Sequence, residues 1–195
     1  PLGILSAVKQ YSVTDMLCTS FAMVFASLPR FWLGLLLIIF FSVKLKILPS
    51  NGSDTWQHYI LPVFTLAAPT AATILRLTRS TMLETIRQDY IRTARAKGTT
   101  ERRIIWRHAL TNALLPVVTA LGVHFGMLFG GAILIETVFS MPGVGMLMLT
   151  SIRMKDIPQV MCTIMFLAFV ITVVTLLVDI LYAFIDPRIR AEYSK

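Results

Sequence analysis

Four long stretches with one charge between them leave this chain few folds to choose from. Between residues 16 and 43 the single charged side chain is Arg30, and residues 59–75, 108–135 and 157–178 carry none. A helix needs about 20 apolar residues to cross a hydrocarbon core of roughly 30 Å. A soluble helix of that length would show a polar stripe along one face, and these stretches show none. The reading is an all-α integral membrane protein with four transmembrane helices, over about 13–47, 58–79, 110–136 and 157–184. Pro29 stands in the middle of the first stretch, where proline removes a helical hydrogen bond and bends the axis. That stretch reads as one long kinked or tilted span, with two short re-entrant pieces meeting at Pro29 as the alternative.

Charge then orients the chain. Only 14% of residues are charged while 56% are hydrophobic, against about a quarter charged in soluble domains. The net charge of +8 would also suit a nucleic-acid reader, so position has to decide. Arg76, Arg79, Arg87, Arg92, Arg95, Lys97, Arg102, Arg103 and Arg107 cluster between two apolar stretches. With Lys9 and the tail residues Arg188, Arg190 and Lys195 they make 13 of the 18 basic residues. Lysine and arginine are kept in cytoplasmic loops, so the N-terminal end, the 76–110 loop and the C-terminus read as cytoplasmic. The opposite side holds Lys44, Lys46, Arg153 and Lys155. No nucleic-acid partner is expected. Cys18 and Cys162 both lie inside apolar stretches, which argues against a disulfide framework. The chain opens at Pro1 and residues 1–10 read as the last turn of an earlier helix, so further spans are expected before it.

The 88–110 segment is more than a charged linker. Asp89 can cap a helix start, Tyr90, Ile91 and Ala94 then share one face, and Gly98 supplies the left-handed position that ends helices. A second helix can begin at Thr100, with Glu101 at its positive end. Two readings follow from spacing: a basic loop lying on anionic lipid headgroups, or a docking helix for a cytoplasmic partner.

Asp89-Tyr-Ile-Arg-Thr-Ala-Arg-Ala-Lys-Gly98, followed by Arg103 and by Trp106-Arg-His-Ala-Leu-Thr-Asn-Ala-Leu-Leu-Pro116, resembles the "EAA" cytoplasmic loop of ABC importer permeases. More narrowly, it is similar to the dipeptide, oligopeptide and nickel branch. Gly130-Gly-Ala132, Glu136-Thr-Val-Phe139, Met141-Pro-Gly-Val-Gly145, Lys155-Asp-Ile-Pro158, Leu177-Val-Asp-Ile-Leu-Tyr182 and Asp186-Pro-Arg-Ile-Arg190 extend the likeness in order, from about residue 27 to 190. Two departures stand out: Arg92-Thr93-Ala94 replaces Glu-Ala-Ala, and Leu115-Pro116 lies further from Gly98 than in the general motif. Both look typical of the peptide and nickel branch.

The resemblance implies a single permease domain, N-terminally incomplete, in a bacterial inner membrane. It implies half of a translocation pore for short peptides, or for nickel or a nickel chelate. The implied partners are a second homologous permease, two ATP-binding cassette subunits and an extracytoplasmic solute-binding protein, all within membrane lipid. Coupling to the ATPase falls to Asp89, Tyr90, Ile91, Ala94, Arg95 and Gly98. The chain has no phosphate-binding G-x-x-x-x-G-K-[ST] loop, so it is read as no enzyme, with no catalytic residue and no cofactor of its own. ATP and Mg would sit on partner subunits. The outer-side loop with Glu136, Pro142, Gly143 and Asp156 is where a solute-binding protein would dock.

Within the spans the residues leave alternatives open. Gly122, Gly126 and Gly130 recur every four residues, which lets helix backbones approach closely in lipid; that face packs either inside this subunit or against a sister permease beside the pore. Arg30 and His124 are polar groups at membrane depth, costly and therefore site candidates. His124 is either a structural hydrogen-bonding group or a pore residue, and a lone histidine makes a poor metal site. Arg30 either satisfies carbonyls freed at Pro29 or meets an anionic solute. Asp179 reads as an interfacial residue bonded to a neighbouring helix or to the basic tail. The rival functions are a channel or secondary transporter not driven by ATP, and a structural membrane subunit.

Overall fold

A computed structural model describes residues 1–185, and all regular structure among them is helical. In order these are α1 (Leu2–Val8), α2 (Val13–Ser27), α3 (Arg30–Leu37) running on as a π-helical turn (Ile38–Lys44), a 3₁₀ turn (Trp56–Tyr59) leading into α4 (Ile60–Ile86), α5 (Asp89–Ala96), α6 (Glu101–Arg103), a π turn (Ile104–Ala109) leading into α7 (Leu110–Val138), α8 (Val144–Met154) and α9 (Ile157–Ile185). Three segments are long and apolar enough to cross a bilayer: Trp56–Ile86, Glu101–Leu128 and Ile157–Val178. All three fall on expected spans, though α4 runs on to Ile86, seven residues past 79, with no Gly or Pro between to stop it.

The first span is where the structure differs from the favoured reading. Pro29 is extended (φ −59°, ψ 133°), and the chain turns by 104° between Val13–Ser27 and Arg30–Lys44. Each limb has 15 residues, about 22 Å at 1.5 Å per residue, short of a 30 Å core. The pair is therefore a broken span or a re-entrant pair. Pro29 makes the break possible: it cannot donate its backbone hydrogen bond, and it disfavours the helical conformation at Leu28.

The described residues fall into two compact units, with α4, α7 and α9 each contributing to both. One comprises residues 1–26, 71–123 and the end of α9. Its core joins Ala7, Met82, Ile91, Ile104, Ala109 and Ala113, with a second patch of Ala22, Ala72 and Leu75. Alanines and Gly3 bring the backbones close: a Cβ at Gly3 would meet the Leu75 carbonyl oxygen at 2.7 Å. The other unit comprises residues 27–70 and 124–177 and centres on Leu61, Ile135 and Phe139. Phe139 fills the space left by Gly34, whose Cβ would lie 3.2 Å from its ring.

In both units several threonine hydroxyls are satisfied within their own helix, whereas the buried Ser42 hydroxyl has no partner among the described residues. Thr65 Oγ1 donates to the Leu61 carbonyl, Thr78 to Ile74 and Thr163 to Gln159, the usual solution where no water is at hand. Large apolar side chains on α9 stand exposed, among them Met161, Met165, Phe166, Phe169 and Leu176. Such a surface is stable only against lipid or another protein.

Candidate functional site

The 88–110 loop folds largely as its residues suggest. α5 begins after Gln88, which is extended. Asp89 is the first helical residue, and its carboxylate makes no capping hydrogen bond. The expected cap is thus replaced by a carboxylate in the first turn, where it still favours the positive helix end. At the other end, Gly98 has φ +78° and follows the C-cap Lys97. The Gly98 N–H donates to the Arg95 carbonyl and the Thr99 N–H to the Ala94 carbonyl, at 2.9 and 3.1 Å. These two bonds make a complete Schellman turn. Thr100 then precedes α6 and its hydroxyl caps nothing.

The shared face of Tyr90, Ile91 and Ala94 divides. Ile91 is fully buried and packs with Met82 and Ile104, with Ala94 partly buried beside it. Tyr90 stays exposed; its hydroxyl accepts a hydrogen bond from Asn112 Nδ2 at 2.9 Å, and the same Nδ2 donates to the His108 carbonyl. Ile91 is therefore the anchor that holds α5 on this subunit. The outward face is Asp89, Arg92, Thr93, Arg95 and Lys97. Arg95 donates to both carboxylate oxygens of Glu101, from Nε at 2.6 Å and Nη2 at 3.2 Å. Those bonds raise the Arg95 guanidinium above its ordinary value, and they tie the two limbs of the Gly98 turn together. Clefts flank α5 on both sides, one lined by Thr81, Glu84, Gln88, Tyr90 and Asn112, the other by Ser80, Leu83, Arg87 and Asp89.

The membrane-depth candidates do not come together as one cluster. Arg30 donates from Nη2 to Thr70 Oγ1 at 3.2 Å. Its guanidinium lies against Gly131, where a Cβ would overlap Nη1. It binds this partner and not the carbonyls next to Pro29. His124 is half-buried. Among the described residues no three His, Cys, Asp or Glu side chains converge as a metal site would require. Gly122 packs tightly, its Cβ position 2.8 Å from Val178 Cγ1, whereas a Cβ at Gly126 or Gly130 meets nothing within 4 Å. So Gly122 serves packing within this chain, and the other two face open space among the described residues.

The outer-loop candidates are engaged in helix ends. The Glu136 carboxylate reaches over Gly143 and Gly145, and its Oε2 accepts the Met146 backbone N–H at 2.8 Å, capping α8. Asp156 caps α9 in the same way, accepting from the Gln159 N–H at 3.1 Å. Pro142 stands exposed. Glu136→Ala is expected to lower stability by about 1 kcal/mol, the usual worth of a helix cap, and to speed hydrogen exchange at the Met146 amide. Unchanged exchange at that amide would show that the cap contributes nothing. The readings of the Asp179 side chain and of residues 186–195 lie outside what the structure describes.

One polar cluster was not anticipated. Asp15, at the start of α2, is buried, and both its oxygens are taken by Arg79 of α4: Nε to Oδ1 at 2.6 Å and Nη2 to Oδ2 at 2.7 Å. Ser6 Oγ donates to Oδ1, and the Tyr11 N–H to Oδ2 at 2.9 Å. Arg79, counted from the sequence with the solvated loop, is half-buried and turned onto Asp15. The available signal was a lone acid at the head of an apolar stretch, which sequence position alone could not match to its partner.

A family described as the binding-protein-dependent transport system inner membrane component matches residues 1–191. Among curated proteins the chain is similar to the glutathione transport system permease protein GsiC of Escherichia coli (strain K12), 45% identical over 188 residues, covering 96% of this chain and 61% of the relative. The protein of the same name from Pectobacterium atrosepticum is 45% identical over 189 residues, covering 97% and 62%. The chain thus spans about three fifths of the length of these relatives.

Proposed function

This chain belongs to the family of binding-protein-dependent transport inner-membrane components, and from that premise we propose that it forms half of an ATP-driven import pore for short peptides. The observation that carries the proposal is the build of α5. Ile91 fastens the helix to its own subunit while Arg92, Thr93 and Lys97 are left outward, and the Schellman turn with the Arg95–Glu101 pair makes helix and turn one unit. A rigid, outward-facing basic helix suits a groove on an ATP-binding subunit. To swing a pore from 1:99 to 99:1, that partner must favour one state by about 5.5 kcal/mol, and only a stiff element passes such a bias on. A solute-binding protein is assigned the side of Pro142 and α8, and a second permease the open glycines Gly126 and Gly130. On this reading the 88–110 loop and the C-terminus face the cytoplasm. The substrate is assigned to peptides because the relatives are named as glutathione permeases; nothing particular favours nickel.

The test is co-purification of the full-length permease with its ATP-binding subunits. Arg92→Glu with Lys97→Glu is expected to lose the ATPase while the permease melts as the wild type does, since both residues are exposed. Ile91→Asp is expected to unfold the loop itself. Retention of the ATPase by the charge-reversed protein, or uptake that continues without ATP, would favour a channel or secondary transporter.

A further inference from the structure

We infer that Arg30 is an anion-recognition residue on the transport route, meeting a carboxylate of the passing solute; this rests on the importer reading above. Among the described residues the ion pairs are Arg79–Asp15, Arg92–Asp89 and Arg95–Glu101, and none of them includes Arg30. The acids of its own unit are Asp54, in a loop, and Glu136 and Asp156, which cap helices. A guanidinium has five N–H donors, and Arg30 uses one, on Thr70.

The position is deep. Thr70 lies near the middle of the 31-residue helix Trp56–Ile86, about 21 Å from its nearer end at 1.5 Å per residue. A long basic side chain can reach for the membrane surface, but this one turns to mid-helix Thr70 and to Gly131. Bare backbone at Gly131 leaves room for it: a Cβ there would overlap Nη1 and push the guanidinium aside. A cation held at that depth without a counter-charge is costly, and among the described residues no side-chain carboxylate pairs with it. The planar fork matches a carboxylate with two parallel hydrogen bonds. Short peptides carry that group at their C-terminus.

The experiment uses the assembled importer of full-length chains in proteoliposomes, with its solute-binding protein. The probes are labelled glutathione and its diethyl ester, which lacks free carboxylates. Arg30→Gln is expected to cut glutathione uptake about tenfold, the scale of one lost charge-assisted interaction, and to change ester uptake less than about twofold. Arg30→Lys, which keeps the charge without the planar fork, should restore part of the loss, and ATP hydrolysis stimulated by the loaded binding protein should be unchanged. If the wild type does not carry the ester, rescue by lysine with intact ATP hydrolysis becomes the deciding readout. Equal losses for both probes, no loss for glutathione, or no rescue by lysine would each overturn the inference. Should Arg30→Gln not assemble, Gly131→Ala, which keeps the charge but moves it, is expected to show the same selective loss. Failure of both variants to assemble would make Arg30 a structural cation and would also overturn it. A wild-type importer that carries neither probe with ATP would instead sink the importer reading.

Discussion

Asp15→Ala is expected to cost about 2 kcal/mol or more, because it removes the one acceptor shared by several donors and leaves a half-buried guanidinium unpaired. The Asp15 side chain is 5% exposed and that of Arg79, on the open side of the pair, 24%. Four donors converge on one carboxylate, from Ser6, Tyr11 and twice from Arg79, so the loss reaches α1, the α1–α2 turn and α4 together. Asp15→Asn should lose nearly as much, since an amide cannot accept on both sides or balance the guanidinium. The double variant Asp15→Ala with Arg79→Met should be more stable than the sum of the single losses predicts, as expected for residues in direct contact. Thermal aggregation of the detergent-solubilised complex, followed by size-exclusion chromatography, measures all of these. Additive losses would show that the pair acts as two independent groups.

The second large effect concerns Gly98. Its φ of +78° lies where an L-residue costs about 1–2 kcal/mol, and a β-branched side chain suffers most. No atom lies within 4 Å of a Cβ built there, so backbone conformation and not space decides what the position accepts. Gly98→Val is expected to unwind the Schellman turn, freeing α5 from α6 and reducing ATP-driven uptake about tenfold or more. Gly98→Asn should stay close to the wild type, because asparagine tolerates the left-handed region. Uptake and ATPase rates measured together separate the outcomes: loss of uptake with hydrolysis retained is the signature of broken coupling. A valine variant that imports normally would remove the need for a stiff turn.

Much of this protein is legible from its residues in order. The apolar stretches mark the spans, since the bilayer demands a length and a composition that few other folds share. Gly98 marks a helix end because so few residues adopt its backbone angles. The loop's motifs also marked the family, and the match over residues 1–191 bears that out. The break at Pro29 was visible as a position but not as an angle: a proline within an apolar stretch either kinks a helix, as Pro69 and Pro116 are accommodated inside α4 and α7, or ends it. Which happens depends on whether neighbouring helices hold the two limbs in line.

What sequence order determined by itself is therefore whatever acts over a few residues: the apolar stretches able to span, the left-handed helix end at Gly98 and the buried place of Ile91 in α5. The tertiary structure alone decided which polar groups are partners. Asp15 and Arg79 stand 64 positions apart, and Arg30 and Thr70 stand 40 apart. That Glu136 caps α8 across Gly143 and Gly145 is likewise a matter of packing, which the motif around it does not show. Helical periodicity says which face a side chain occupies, but where lipid is the solvent a charge must find its counterpart on another helix. That choice is made by packing, after the local rules have been satisfied.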